Sequence, residues 1–282
     1  MRREGSLRPV PEALRITLAL LLGVGSGILS GMFGVGGAVV STPGVRALGA
    51  TAFEGVGSTI PATLPAAISG SLRYHREGLI RWRVAAWTAS VGTLAVIGGA
   101  LLSHAVPGDG HLLMIATAVL MLFTAYRTAR PATRVPAAIG EDSTEPSPST
   151  THTEISATDG GAWWLIAAVG VVAGGLSGLL GIGGGVFMVP AFVFLGLGIK
   201  EAVGTSLVCV GVFAIPGGVT HTIQGDINWA FAIPLCIGVI PGARIGSAWA
   251  IRASDATLRR IVATGLGTIA VVYGVTEVLA LF

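Results

Sequence analysis

The sequence predicts an all-α polytopic membrane protein built from two homologous halves, and three observations predict it. Of its 282 residues, 52% are hydrophobic and 11% charged, with a mean hydropathy of +0.80. Soluble domains carry about a quarter charged residues, so a water-soluble enzyme is excluded. Uncharged stretches recur at lengths that suit a bilayer, where roughly 20 helical residues cross about 30 Å of hydrocarbon. The chain also repeats itself at a constant offset. Its 43 glycines have no triplet period, its two cysteines, Cys209 and Cys236, lie in apolar runs, and a net charge of +3 is too slight to attract nucleic acid.

Taken in order, Arg2, Arg3, Arg8 and Arg15 precede an uncharged run over residues 16–45. That run is too long for a signal peptide and no small-residue cleavage site closes it. Residues 1–11 are therefore expected to be a cytoplasmic tail. Stretches at 55–72, 84–103 and 112–126 complete a first transmembrane repeat over 12–129. Residues 130–161 hold Pro131, Pro136, Pro146 and Pro148 around an acidic, Ser/Thr-rich segment, and are expected to be a flexible aqueous linker. The second repeat, 162–282, contains the stretches 160–199 (which opens in the linker), 202–225, 227–243 with its continuation past Arg244, and 261–276.

The duplication has an offset of 147: Gly27 pairs with Gly174, Gly31 with Gly178, Pro43 with Pro190, Glu54 with Glu201, Trp82 with Trp229 and Gly99 with Gly246. Such repeats are the common architecture of secondary transporters, with substrate held between them. Each repeat carries a glycine cluster, Gly31-Met32-Phe33-Gly34-Val35-Gly36-Gly37 and Gly178-Leu179-Leu180-Gly181-Ile182-Gly183-Gly184-Gly185, followed by Pro43 or Pro190. Glycine costs about 1 kcal/mol and proline about 3 in a helix interior, so breaks are expected there. Unwound amides and a half-helix N-terminus then make an anion-binding concavity. The bland alternative is close helix packing through small residues.

Those clusters, with Ser30 and Ser177 before them, Val203-Gly204-Thr205-Ser206-Leu207 and Pro241-Gly242-Ala243-Arg244-Ile245-Gly246, resemble the TauE/SafE sulfite exporter family over nearly the whole chain apart from its ends and the linker. The resemblance implies a bacterial inner-membrane permease for sulfite, organosulfonates or related sulfur anions, with about eight spans in two similar halves. The first half departs from the pattern at Ala38, where the third glycine would stand, and at Val56-Gly57-Ser58-Thr59.

Single residues admit rival readings. Arg244 interrupts an apolar helix and either faces an anion path or snorkels to the interface beside Arg252. Thr51-Ala52-Phe53-Glu54 fits a capping box, so Glu54 is expected to start a helix; Glu201, after Lys200, lacks the box. Ser58, Thr59, Thr205 and Ser206 either donate to an oxyanion or bond between helices. His221 is either a titrating relay or an interfacial side chain, the blander expectation. Gly175-Leu176-Ser177-Gly178 with His221 allows an intramembrane serine protease, although Ser30 has no matching histidine because Tyr74 aligns with His221. No metal, phosphate-loop or cofactor signature is present.

The positive-inside rule does not settle topology, because four spans per half with parallel repeats and five spans with inverted repeats place equal basic charge inside. About eight spans with re-entrant glycine segments are expected. The expected function is a secondary transporter of a small sulfur anion, working by alternating access, with no cofactor, protons as a candidate coupling ion and the lipid bilayer as partner. An anion channel of the same fold is the alternative within transport. The expected substrate-binding set is Ser30, Gly34, Gly36, Gly37, Ser58, Thr59, Ser177, Gly181, Gly183, Gly184, Gly185, Thr205, Ser206 and Arg244.

Overall fold

The computed structural model describes residues 12–103, 163–181 and 183–281, with scattered positions between 115 and 126. The expected tail and linker lie outside the described residues. Among the described residues all regular structure is helical: α1 (Glu12–Phe33), α2 (Ala38–Ala47), α3 (Ala52–Arg76), α4 (Trp82–Ser103), α5 (Trp163–Leu180), α6 (Gly185–Phe194), α7 (Ile199–Gln224), α8 (Trp229–Arg252) and α9 (Asp255–Leu281). The helices α6, α7 and α8 begin 147 residues after α2, α3 and α4. Four of the described helices, α1, α4, α7 and α8, are long and apolar enough to cross a membrane. Their outer surface is apolar too, with Leu94 76% and Ile223 81% exposed. The runs 16–45 and 160–199 each hold two helices separated by a break at the glycine cluster, where a break is expected.

Local sequence accounts for the helix starts. Thr51 and Glu54 form the reciprocal capping box of α3, with bonds of 3.2 and 2.9 Å. Asn228 caps α8 by accepting the Ala230 N–H. Gly198, which has no side chain, precedes α7, and the Glu201 carboxylate accepts its N–H.

Glycine stripes decide which helices touch. Gly23, Gly27 and Gly31 of α1 lie against the backbone of α8 at Leu235, Val239 and Ala243, and Gly238, Gly242 and Gly246 return the contact at Leu20, Val24 and Ile28. Their counterparts Gly170, Gly174 and Gly178 on α5 meet Thr88, Gly92 and Val96 of α4. Small residues every fourth position let two backbones approach closely, as membrane helices do where no hydrophobic force separates protein from lipid. In both pairs the matched residues rise together, so the helices run parallel.

Between these pairs α3 and α7 run antiparallel: Gly217 faces Ile60, Gly211 faces Ala67 and Gly70 faces Leu207. The starts of α1, α3 and α8 share one face with the ends of α4 and α7, through Arg15 over Phe231, Asn228 on Glu54 and Gln224 on Ala100. We term this the Glu54 face. The starts of α4, α7 and α9 and the end of α8 lie on the opposite, Glu201 face, joined by Arg81 to Glu201 and by Lys200 to Ile251 and Asp255. Helix α2 doubles back along α1, with Gly37 at Ser26 and Ser30 and Gly44 at Leu22. The α1–α2 hairpin thus enters from the Glu54 face, and α5–α6 from the Glu201 face. The two units run in opposite directions, an arrangement the basic-residue count alone left open.

Candidate functional site

The breaks are built from glycine. Gly34, Gly36 and Gly37 have φ of +73°, +82° and +80°, and Gly181, Gly183 and Gly184 have +66°, +81° and +68°. Other residues avoid that left-handed region, so the chain unwinds where glycine permits it. Helices α2 and α6 then start at Gly37 and Gly184 without a side-chain cap. Pro43 and Pro190 lie inside those helices, not at the breaks. The glycine cluster therefore serves two purposes: Gly31 and Gly178 pack helices, while the glycines after them turn the chain.

The two unwound segments meet at mid-molecule. A Cβ on Gly185 would overlap the Gly34 carbonyl oxygen, and one on Gly183 would stand 3.2 Å from the Val35 carbonyl oxygen. Thr63 of α3 and Val210 of α7, themselves 147 apart, flank both loops: each would touch a Cβ on Gly36, at 2.8 and 2.6 Å, and on Gly183, at 3.6 and 3.3 Å. The sequence reading missed both. Their signal was position, one helical turn beyond Thr59 and Ser206 on the same stripe.

Ser30 sits at the start of α2, its Cβ 3.5 Å from where a Gly37 Cβ would be, and its buried hydroxyl has no hydrogen-bond partner among the described residues. Its counterpart Ser177 sits likewise at Gly184, at 3.3 Å, and lines a cleft with Thr63, Gly183 and Phe213. This cleft and the one beside Ser30, Val35 and Gly37 each have room for about one water molecule. Ser206 donates to the Gly34 carbonyl at 2.8 Å, with the Val203 carbonyl at 3.0 Å as the competing acceptor. Thr59 Oγ1 pairs with Thr42 Oγ1 at 3.2 Å and reaches the Val56 carbonyl at 2.9 Å.

The remaining expected residues lie elsewhere. Ser58 accepts the Asn228 N–H at 2.9 Å on one face, and Thr205 accepts the Arg81 N–H at 3.0 Å on the other. Both hydroxyls thus tie a helix of one unit to a helix start of the other, away from the glycine loops. Arg244 is exposed on the outer side of α8 beside Ile240 and Ile245.

Carboxylates reinforce the same junctions. Glu201 is paired with the Arg81 guanidinium at 2.8 Å, and Glu54 accepts from the Asn228 amide at 3.3 Å. Glu54 precedes the apolar run that starts at Gly55, and the Thr51 backbone N–H holds its carboxyl below the usual carboxylate range. A lowered folded-state value contributes stability above the unfolded-state value, lost as pH falls through the folded one. Acidification below the ordinary carboxylate range should therefore lower the melting temperature, and Glu54→Gln should flatten that dependence in a thermal melt series.

His221 differs from expectation. It is not an interfacial side chain but is 1% exposed, with Nδ1 2.8 Å from Asp226 Oδ2 and Nε2 buried without a partner among the described residues. The chain turns back at Gly225, φ +79°, which returns Asp226 to the ring. Among the described residues Nε2 bonds to nothing, so Ser177 does not meet it in the nucleophile–base contact a serine protease requires.

The family described as Sulfite exporter TauE/SafE matches residues 19–273. A probable membrane transporter protein of Xylella fastidiosa (strain 9a5c) is 28% identical over 252 residues, covering 86% of this chain and 90% of the relative. The probable membrane transporter protein YdhB of Bacillus subtilis (strain 168) is 26% identical over 230 residues, 78% of this chain and 84% of its own. In YunE of the same organism, also a probable membrane transporter protein, identity reaches 43% over 82 residues, 29% of this chain and 30% of the relative. No solved structure matches the chain. Apolar helices interlocked through glycine, and a family match over almost the whole length, identify the chain as a membrane transporter that belongs to the TauE/SafE sulfite exporter family.

Proposed function

We propose that the protein is a secondary transporter of a small sulfur oxyanion or sulfonate, working by alternating access between two inverted repeats. The observation that carries this is the Ser30 hydroxyl, buried without a partner among the described residues at the uncapped start of α2 where the two glycine loops meet. A buried donor without an acceptor costs about 1–3 kcal/mol, and an anion seated there removes that cost. Helix N-termini supply further N–H donors and a favourable dipole. Gly34, Gly36 and Gly37 with Gly181, Gly183, Gly184 and Gly185 form the cradle. Ser177 is the second hydroxyl, and Thr59 and Ser206 hold the loops from α3 and α7. Because each cleft is water-sized, solute passage requires the loops to separate. Arg244, on the outer face, serves entry or gating more readily than the central seat.

The opposed directions of the units support one orientation under the positive-inside rule. Arg73, Arg76, Arg81, Arg83, Lys200, Arg252, Arg259 and Arg260 belong to helix ends on the Glu201 face, against Arg15 and Arg46 on the Glu54 face. The Glu201 face is therefore assigned to the cytoplasm of a bacterial inner membrane.

The test is thermal stability with sulfite, sulfate, thiosulfate, taurine and chloride. A ligand at 100 times its dissociation constant stabilises by about 2.7 kcal/mol. Ser30→Ala should leave the unliganded melting temperature unchanged or raised, since it removes an unpaired polar atom, yet abolish the ligand-induced rise. A wild-type melt that no sulfur anion shifts would sink the substrate reading. A shift that survives in Ser30→Ala would remove Ser30 from the seat.

A further inference from the structure

The central loops contain no ionisable side chain, so a coupling proton would have to bind elsewhere. We propose that His221 and Asp226 form the coupling-proton site, with Nε2 of His221 as the atom that takes the proton. The inference rests on the transport reading above.

Four observations carry it. The pair is buried, at 1% and 7% side-chain exposure, and its partners approach to 2.8 Å. With the carboxylate ionised, Nδ1 must carry the hydrogen that faces Asp226, which leaves Nε2 a bare lone pair; that nitrogen has no partner among the described residues. The pair also sits on a joint between the units. The Asp226 backbone is pressed against Gly57 of α3, where a Cβ would stand 2.5 Å from its carbonyl oxygen, and Asn228, two residues on, binds Ser58 and Glu54. A charge change at His221 therefore acts where α3 of one unit bears on α7 and α8 of the other. Finally, the device is one-sided. At the corresponding positions on the Glu201 face stand Tyr74, bonded to the Gly31 carbonyl at 2.9 Å, and Leu79, and neither changes charge near neutral pH.

The other groups around this end have partners of their own. On α3, Glu54 is held by Thr51 and Asn228. Arg15 of α1 lies over Phe231, and Arg46 of α2 packs its stem against Gly55. From α4 the contact is the Ala100 carbonyl, taken by the Gln224 amide, and α8 presents the neutral Asn228. None of these contacts among the described residues places a second base on Nε2.

The experiment uses the full chain in proteoliposomes with radiolabelled sulfite, comparing wild type, His221→Gln and Asp226→Asn. Two fluxes are read: counterflow exchange at equal pH, which needs no net proton movement, and accumulation driven by a pH gradient of either sign. The expected result is that His221→Gln keeps exchange and loses gradient-driven accumulation, while Asp226→Asn shifts the pH dependence of accumulation. Accumulation by His221→Gln equal to wild type overturns the proposal. A second readout stands apart from sulfite: the infrared difference spectrum between about pH 5 and about pH 8 should contain an imidazole protonation band that His221→Gln removes. Absence of that band overturns the proton site. A wild type that shows the band but exchanges no sulfite overturns the substrate reading and leaves the proton site standing.

Discussion

Gly99→Ala and Gly246→Ala should each lower stability by about 2–3 kcal/mol, whereas Gly98→Ala, one position away from the first, should be silent or mildly stabilising. The reasoning is steric. A Cβ on Gly99 would overlap the Gly175 carbonyl oxygen of α5, and one on Gly246 the Ile28 carbonyl oxygen of α1. In both cases the obstacle is helix backbone, which cannot rotate away as a side chain can. The only relief is separation of α4 from α5, or α1 from α8, with loss of contact along the whole stripe. A Cβ on Gly98 meets nothing among the described residues within 4 Å. Thermal unfolding in detergent, followed by the fraction remaining monodisperse, distinguishes the neighbours; equal losses at Gly98 and Gly99 would refute the packing account.

Gly185→Ala should abolish transport while Ala38→Gly, the same exchange in reverse at the counterpart position, should leave it nearly intact. The two residues occupy equivalent starts of α6 and α2. Around Gly185, the Gly34 carbonyl oxygen and Val35 Cα, the latter 2.7 Å from an added Cβ, occupy the space of a methyl group. Ala38 already carries its methyl and is buried without such a conflict. An alanine at 185 therefore forces the two loops apart at their crossing, whereas a glycine at 38 costs at most about 1 kcal/mol of helix propensity. Sulfite counterflow in proteoliposomes, normalised to folded protein, measures the difference, and a transport-competent Gly185→Ala would contradict the loop contact.

How far the chain could be read in advance depended on the kind of signal. The offset of 147 and the glycine clusters were legible because a repeat and a broken helix both leave their mark in residue type. Ala38 looked like a conservative departure, and only the crossing of the loops shows that the first repeat tolerates a methyl where the second does not. Ser58 and Thr205 were legible as hydroxyls but not as acceptors for Asn228 and Arg81, since those partners lie in the other unit at more than a hundred residues' separation. His221 looked interfacial because it stands near the end of an apolar run. Its burial depends on a turn at Gly225 that brings Asp226 back to the ring, a tertiary consequence that hydropathy does not encode. Helix direction was hidden for the same reason: the doubling back of α2 comes from positive-φ glycines, and basic residues alone fit either count.

The interlocked pairing of α1 with α8 and of α4 with α5 also has a meaning in time. Helix α1 ends at Phe33, and the backbone it must clasp begins only at Trp229. At ordinary synthesis rates that partner emerges on the order of ten seconds or more later. Until then the Gly23, Gly27 and Gly31 stripe lies open in the bilayer, available to any other small-residue helix. Neither unit made alone should persist, but the two expressed as separate chains should find each other, since each supplies the surface that the other leaves open.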